Sequence, residues 1–191
     1  CLSMLAQLGE SAQTSKGVAA AVEYLRRTQL PEGSWYGRWG MNYIYGTWSV
    51  LCALNAAGVS HQDPMIRKAV DWLVSIQNED GGWGEDAVTY RLDYRGQEGA
   101  PTTASQTGWA LLGLMAAGEV AHPAVAHGVR YLLATQTEKG LWDEERYTAT
   151  GFPRVFYLRY HGYAKFFPLW ALARYRSLRN TNSEVVAGVG M

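Results

Sequence analysis

The sequence is poor in cysteine, has no excess of either charge and contains no long apolar run. Its two cysteines, Cys1 and Cys52, match neither the spacing of a metal site nor that of a disulfide framework. Cys52 lies within an apolar helical stretch, so we predict a buried free thiol, which suits a reducing compartment. The 17 basic residues balance the 17 acidic ones, so neither nucleic acid nor an acidic substrate is indicated as a partner.

Signals for membrane spans, metal sites and common catalytic motifs are also missing. No apolar run approaches the ~18 residues of a membrane-spanning helix, and no signal peptide is found, although attachment to a membrane surface stays open. No phosphate-binding glycine loop or nucleophile elbow occurs. No cofactor and no metal site are therefore expected, because none of the histidines has a paired spacing with Cys or Asp: His61, His122, His127 and His161.

Tryptophan and tyrosine are abundant, with eight Trp and twelve Tyr against four Phe. The pattern Gln-x-x-x-Gly-x-Trp occurs three times, each time after an aromatic–Leu pair at the same distance, which predicts a helical repeat array. We interpret each copy as a structural clamp, in which the Gln amide satisfies backbone groups at a neighbouring helix end and the Trp packs on the helix. The copies are Gln29 with Trp35, Gln77 with Trp83, and Gln136 with Trp142.

A second repeated element alternates with the first. Three apolar segments end in a glycine (Gly9, Gly58 and Gly118), as helices do when the next residue adopts a left-handed conformation. An amphipathic segment follows each one, so the unit is helix, turn, helix and aromatic loop. Such pairs can close into a ring, but about three pairs are too few. We predict an all-α partial barrel over residues 1–180, forming the C-terminal portion of a longer protein, and a flexible tail at 181–191.

Residues 33–48 closely resemble the C-terminal part of bacterial squalene–hopene cyclases, and the motifs at 81–86 and 151–163 reinforce the match. The resemblance extends from the first residues to about residue 176. It implies an α/α-toroid domain of a double-barrel enzyme that cyclises squalene to hopene or hopanol without a cofactor. It also implies monotopic attachment to the cytoplasmic face of the bacterial membrane and a homodimer.

The chemistry of such an enzyme explains the aromatic residues. Protonation of an alkene starts a cascade of carbocations, and ring faces attract these cations without trapping them as adducts. A desolvated cation–π contact contributes ~2 kcal/mol or more. The resemblance implies that Trp39 lies near the site of initiation, that Phe152 and Phe156 stabilise cations midway and late, and that Tyr160 and Tyr163 flank the region of early ring formation.

The resemblance also implies supporting residues around this cavity. Tyr45 would lie close to Trp39 and support the acid region, whereas Tyr157 and Leu158 would shape the wall. Glu85 occupies the place of a carboxylate in the polar network around the acid or the exit water. An alternative for Glu85 is a hydrogen bond to a loop.

The residues by themselves support the cavity role at one of these positions and a different interpretation at three others. Trp39 lies between Gly37 and Gly40, which indicates a loop and favours a cavity role. Phe156, Tyr160 and Tyr163 recur at i, i+4 and i+7, and this periodicity alone predicts a helix that faces the core. The acidic run 143–145 is typical of a solvated loop.

The family's acid motif, Asp-x-Asp-Asp, does not occur in the sequence. We expect the acid upstream of this chain and predict that the chain alone is inactive on squalene. An oxidosqualene cyclase remains an alternative, although residues 41–45 favour the squalene type. A protein prenyltransferase β subunit would need Asp, Cys and His zinc ligands that are not found. A non-catalytic α/α toroid that binds a lipid also remains.

Overall fold

The computed structural model describes residues 1–91 and 100–180, and these ranges contain seven α-helices, one short 3-10 helix and one β-hairpin. The predicted tail at 181–191 lies outside the described residues. The 3-10 helix is Ala87–Tyr90, and the hairpin strands are β1 (Ala149–Phe152) and β2 (Phe156–Leu158). The α-helices are α1 (Leu2–Gln7), α2 (Lys16–Thr28), α3 (Tyr43–Ala56), α4 (Pro64–Ser75), α5 (Ala104–Ala116), α6 (Pro123–Thr135) and α7 (Tyr163–Asn180).

The helices form two layers. In the inner layer, α1, α3, α5 and α7 pack side by side in that order, and in the outer layer α2, α4 and α6 each pack on the inner helix that precedes them. Helix α5 is largely apolar and is buried at every residue, as expected for a helix covered on both sides. The all-α helix-pair prediction is confirmed. No helix in the described ranges has both the length and the hydropathy needed to cross a bilayer.

Helix ends follow the signals in the sequence. Gly9, Gly58 and Gly118 have φ values of +86°, +74° and +86°, which confirms the predicted glycine stops. Asp63 begins α4, because its carboxylate accepts a hydrogen bond from the Met65 N–H at 2.9 Å. The same carboxylate accepts two hydrogen bonds from Arg26 of α2, at 2.9 and 2.8 Å, and so joins neighbouring outer helices.

The main core lies between the two layers. Trp83 and Trp109 are both fully buried there, and aliphatic side chains of α3, α4, α5 and α6 surround them. Cys52 is a buried free thiol, as predicted. Burial raises the pKa of Cys52 to about 12, so the thiol is protonated at neutral pH.

The helix predicted from the spacing of Phe156, Tyr160 and Tyr163 is wrong. Phe156 lies in β2, Tyr160 lies in the irregular segment between β2 and α7, and Tyr163 is the first residue of α7. Aromatic and β-branched residues dominate the segment, and Pro153 with Arg154 (φ +68°) forms the tight turn that joins the strands. The periodicity of 3.6 was therefore a coincidence of spacing across three different elements.

Candidate functional site

The first two Gln–Trp turns are each tied to the next outer helix. Gln29 Nε2 donates to the carbonyl of Gly33, in its own turn, and to that of Met65, in the first turn of α4, both at 2.9 Å. Gln77 Nε2 donates to the carbonyl of Gly81, in its own turn, at 2.6 Å. The same amide donates at 2.9 Å to the carbonyl of Ala124, in the first turn of α6. Each amide thus links two successive repeats.

The third turn lacks this second link in the described part of the chain. Gln136 Nε2 donates to the carbonyl of Gly140, in its own turn, at 2.9 Å. The three tryptophans behave alike, because each buried indole N–H donates at 2.8 Å to a carbonyl ten residues earlier in the preceding helix. These pairs are Trp35 with Leu25, Trp83 with Leu73, and Trp142 with Leu132.

Glu85 anchors the start of α3. Its carboxylate is buried, and its two oxygens accept hydrogen bonds from the backbone N–H groups of Tyr43 at 3.0 Å and Ile44 at 2.9 Å. Burial raises the pKa of Glu85, while the hydrogen bonds from the helix start act in the opposite direction. A carboxylate at this position complements the positive, N-terminal end of the dipole of α3. The structure thus places Glu85 against a helix terminus.

Glu144 makes the equivalent contact with α5, and the prediction of a solvated loop at 143–145 is wrong for this residue. Its carboxylate accepts hydrogen bonds from the Ser105 backbone N–H and hydroxyl, both at 2.9 Å, and from the Thr148 hydroxyl at 3.2 Å. The sequence contained the signal. Glu85 and Glu144 both stand two residues after the repeated tryptophan, whereas Gly37 occupies that position in the first copy.

The loop that carries Trp39 runs beside the hairpin. The Trp39 carbonyl accepts a hydrogen bond from the Thr150 N–H at 3.1 Å, and the Met41 N–H donates to the Thr148 carbonyl at 3.0 Å. Gly40 forms an antiparallel bridge with Ala149 of β1. Trp39 itself is 54% exposed, so its backbone is fixed while much of its ring remains open.

The hairpin presents further open rings. Phe152 and Phe156 lie on either side of its turn, with ring centroids 5.8 Å apart, and they are 54% and 46% exposed. Because the Trp39 loop pairs with β1, it lies beside the strand that carries Phe152. Tyr157 is half-buried, and its ring centroid lies 6.3 Å from that of Tyr90. Leu158, also half-buried, pairs with the start of β1.

The predicted tyrosines meet around Trp109 of α5, which the sequence reasoning did not single out. The rings of Tyr45 and Tyr163 each pack edge-on against Trp109, with centroids 5.0 and 5.6 Å away. Tyr160 lies 5.0 Å from Tyr163 and is 48% exposed. The Tyr45 ring also packs on Gly40, where a Cβ atom would lie 2.2 Å from the ring. Tyr45 therefore connects this cluster to the Trp39 loop.

The hydroxyls of Tyr45 and Tyr163 are neutral at physiological pH. Burial raises the pKa of Tyr163 to about 12 and also raises that of Tyr45. A phenolate would be alkylated by a carbocation, whereas a neutral phenol ring offers its face. The electrostatics of the cluster therefore suit the stabilisation of positive charge.

Known proteins are similar to this chain in sequence and in fold. The family model for the squalene–hopene cyclase C-terminal domain matches residues 1–177. The chain belongs to this family. It is 83% identical over 191 residues to the squalene–hopene cyclase of Bradyrhizobium diazoefficiens, an alignment that covers 100% of this chain and 29% of that protein. It is 60% identical over 186 residues to the squalene–hopene cyclase of Zymomonas mobilis, covering 97% of this chain and 28% of the relative.

A solved structure of a cyclase has the same fold. The type II terpene cyclase MstE from Scytonema, without ligand, superposes with a TM-score of 0.52 at 26% identity, covering 76% of this chain and 42% of that one. The predicted α/α-toroid class and the resemblance to squalene–hopene cyclases are thereby confirmed. The chain spans about 29% of the length of the Bradyrhizobium relative.

Proposed function

We propose that this chain forms the C-terminal part of the cavity of an enzyme that cyclises squalene to hopene or hopanol through carbocations. One observation supports this above all: large aromatic rings stand half-exposed on backbone segments that hydrogen bonds hold in place. Open rings of this size seldom stand together on a free surface, since their burial elsewhere would be favourable. The rings are those of Trp39, Phe152, Phe156 and Tyr160.

Each ring has a task in this proposal. Trp39, with Tyr45 close by, lies near the point of initiation, and Tyr160 and Tyr163 flank the early rings of the product. Contact of Tyr45 with Gly40 and the 5.0 Å separation of Tyr160 and Tyr163 support this grouping. Glu85 acts indirectly, because it fixes the start of α3, the helix that carries Tyr45.

In this proposal the residues of the hairpin stabilise the later cations. Phe152 and Phe156 form one edge-to-face pair, and in this proposal their exposed rings attract the cations that form midway and late. Tyr157 and Leu158 alternate along β2 and complete the wall. Each cation–π contact in a water-free cavity contributes about 2 kcal/mol, and several together lower the barrier substantially.

The proton comes from elsewhere in the enzyme. Protonation of an isolated alkene needs a strongly activated carboxylic acid, and the Asp-x-Asp-Asp motif does not occur in this sequence. We place that acid in the part of the relatives that this chain does not span. The chain by itself should therefore leave squalene unchanged.

We extend the proposal to the setting of the enzyme. Squalene is an apolar hydrocarbon that partitions into lipid, which fits monotopic attachment to the cytoplasmic face of the bacterial membrane. Co-sedimentation of the enzyme with vesicles tests the attachment. A homodimer rests on the resemblance to the family, and light scattering of the detergent-solubilised enzyme tests it.

A chimaeric enzyme tests the function. This chain replaces the matching C-terminal part of the Bradyrhizobium cyclase, and the chimaera is incubated with squalene and analysed by gas chromatography–mass spectrometry. We expect a pentacyclic product, and we expect Trp39→Ala and Phe156→Ala to lower turnover at least about tenfold and to release partly cyclised products. Tyr24→Phe, on the exposed face of α2, is the matched control and should behave like the parent.

Three results would count against the proposal. A chimaera that leaves squalene untouched but cyclises oxidosqualene would place the chain in the epoxide-opening branch. Ring variants with the rate and product pattern of the parent would show that these side chains do not stabilise the cations. An inactive chimaera beside an active Bradyrhizobium control would leave a lipid-binding toroid as the better description.

A further inference from the structure

We propose that Tyr90 is a positioning residue for Trp39. The Tyr90 hydroxyl holds the carbonyls of Gly37 and Gly40, which lie on either side of Trp39 in the chain. This inference rests on the proposed role of Trp39 and adds to it a residue from a distant part of the chain. Tyr90 does not lie on the surface where the Trp39 ring is exposed. Tyr90 is only 4% exposed and is covered by the Trp39 loop.

The hydroxyl of Tyr90 reaches two carbonyls of the Trp39 loop. It donates to the Gly40 carbonyl at 2.9 Å and lies 3.1 Å from the Gly37 carbonyl, so one proton is shared between two acceptors. These two carbonyls bracket Arg38 and Trp39. Tyr90 ends the 3-10 helix, which Asp86 begins by accepting a hydrogen bond from the Val88 N–H at 2.9 Å, so the phenol projects from a fixed base.

Thr150 of β1 holds the remaining two carbonyls. Its hydroxyl donates to the carbonyl of Arg38, and its backbone N–H donates to that of Trp39 at 3.1 Å. Consecutive carbonyls from residue 37 to residue 40 are thus all hydrogen-bonded by Tyr90 or Thr150. Because residues 37–40 belong to neither a helix nor a regular strand, these bonds from outside fix their conformation.

Buried amides couple the segment of Tyr90 to the same loop. Asn42 accepts a hydrogen bond from the Gly37 N–H at 3.1 Å and donates to the carbonyl of Thr89, the residue before Tyr90, at 3.2 Å. Gln106 of α5 donates to the Met41 carbonyl at 3.2 Å. The loop and the tyrosine that holds it therefore share one hydrogen-bonded frame.

The role of the hydroxyl follows from the exposure of the indole. Since the Trp39 ring is about half open, its direction depends on the backbone that carries it. A misplacement of about 1 Å can cost up to about 100-fold in rate. Loss of one of several loop contacts should cost less, and we expect Tyr90→Phe to lower kcat about tenfold with little change in KM.

A double-mutant cycle in the chimaeric enzyme tests the coupling. Tyr90→Phe, Trp39→Ala and the double variant are compared by kcat, KM and product pattern, with Tyr24→Phe as the matched control. If Tyr90 acts through Trp39, Tyr90→Phe shifts the products towards the pattern of Trp39→Ala and lowers kcat by no more than about twofold once Trp39 is absent. Fold-changes that multiply in the double variant would overturn the proposal.

Hydrogen exchange supplies a readout that does not depend on activity. The N–H groups of Gly37 and Met41 are both hydrogen-bonded, and they report on the stability of the loop. We expect Tyr90→Phe to speed their exchange about tenfold, as loss of a net hydrogen bond of ordinary strength would. Unchanged exchange would show that the hydroxyl does not hold the loop, whatever happens to the rate.

The outcomes separate this inference from the proposed function. If Trp39→Ala leaves turnover unchanged, the role of Trp39 fails, while faster exchange in Tyr90→Phe would still demonstrate the structural clamp. If Trp39→Ala lowers turnover but Tyr90→Phe changes the exchange and not kcat, the cavity function stands and the positioning role of Tyr90 is overturned.

Discussion

The first Gln–Trp turn and the second share a skeleton but differ two residues after the tryptophan. In the second turn that position is Glu85, whose buried carboxylate caps α3, and in the third it is Glu144, which caps α5. In the first turn it is Gly37, which has no side chain, and its N–H donates to Asn42. A Cβ atom at Gly37 would lie 2.2 Å from the Asn42 carbonyl oxygen.

This difference separates the loops that only cap a helix from the loop that carries a residue of the candidate site. Where a carboxylate is present, the loop fixes the inner helix of its own repeat. Where glycine stands instead, the loop folds close over the start of α3 and carries Trp39 to the open face, held by Tyr90 and by the hairpin. The repeated skeleton gives the array its stability, and the departure from the repeat creates the candidate site.

Filling the glycine of the first turn should have the largest effect. We expect Gly37→Ala to lower the free energy of unfolding by about 3 kcal/mol or more, because the new Cβ meets a backbone oxygen that cannot move alone. Urea unfolding of the chimaera, followed by circular dichroism, measures the change. Gly17→Ala in α2 is the control, since its Cβ meets only the Ser15 hydroxyl at 3.7 Å and alanine favours helix. Equal unfolding midpoints for the two variants would contradict the close packing of the first loop.

Neutralising the capping carboxylates should have the next largest effect. In Glu85→Gln, an amide NH₂ would face one of the two buried backbone N–H groups, and we expect a loss of about 2 kcal/mol. Glu144→Gln should lose about 1 kcal/mol, because Glu144 is only half-buried. Urea unfolding of both variants beside Glu145→Gln, an exposed neighbour, measures this order. A larger loss at Glu144 would show that burial does not decide the strength of the cap.

The pH dependence of the Glu85 effect has a definite sign. Burial raises the folded-state pKa of Glu85 above its ordinary value of 4.5. The folded state therefore binds more protons than the unfolded state in the window above that value, and the contribution of Glu85 falls as the pH rises through the folded pKa. We expect the stability difference between parent and Glu85→Gln to be larger at about pH 5 than at about pH 8. The opposite trend would show that the helix start lowers this pKa.

Removing the repeated glutamines should have the smallest effect and should differ along the array. Gln29→Ala breaks bonds to its own turn and to α4, both of them partly exposed to solvent, so we expect a loss of about 1 kcal/mol. Gln136→Ala breaks one bond, to its own turn, and should cost about 0.5 kcal/mol. Melting temperatures of the two variants measure the difference. Equal shifts would mean that the link between successive outer helices contributes little.

Local signals were enough to predict the repeats and the family. Helix stops at glycine, the buried thiol at Cys52 and the class of fold depend on residues close together in sequence or on a pattern that recurs. The hairpin was missed because its aromatic residues happen to match a helical spacing, whereas the turn at Pro153 and Arg154 reverses the chain. Glu144 was missed because its partner Ser105 lies 39 residues away, although its place two residues after Trp142 repeats the place of Glu85 after Trp83.

The sequence by itself determined the helix pairs, the three Gln–Trp turns and the set of aromatic residues available for chemistry, because propensity, capping and apolar periodicity act within a few residues. The tertiary structure alone decided which groups hold the carbonyls of the Trp39 loop. These groups belong to Tyr90 and to Thr150, the latter 112 residues from its partner Arg38. Such contacts depend on how the layers pack, and a buried hydroxyl finds its acceptors only when packing brings them within hydrogen-bond distance.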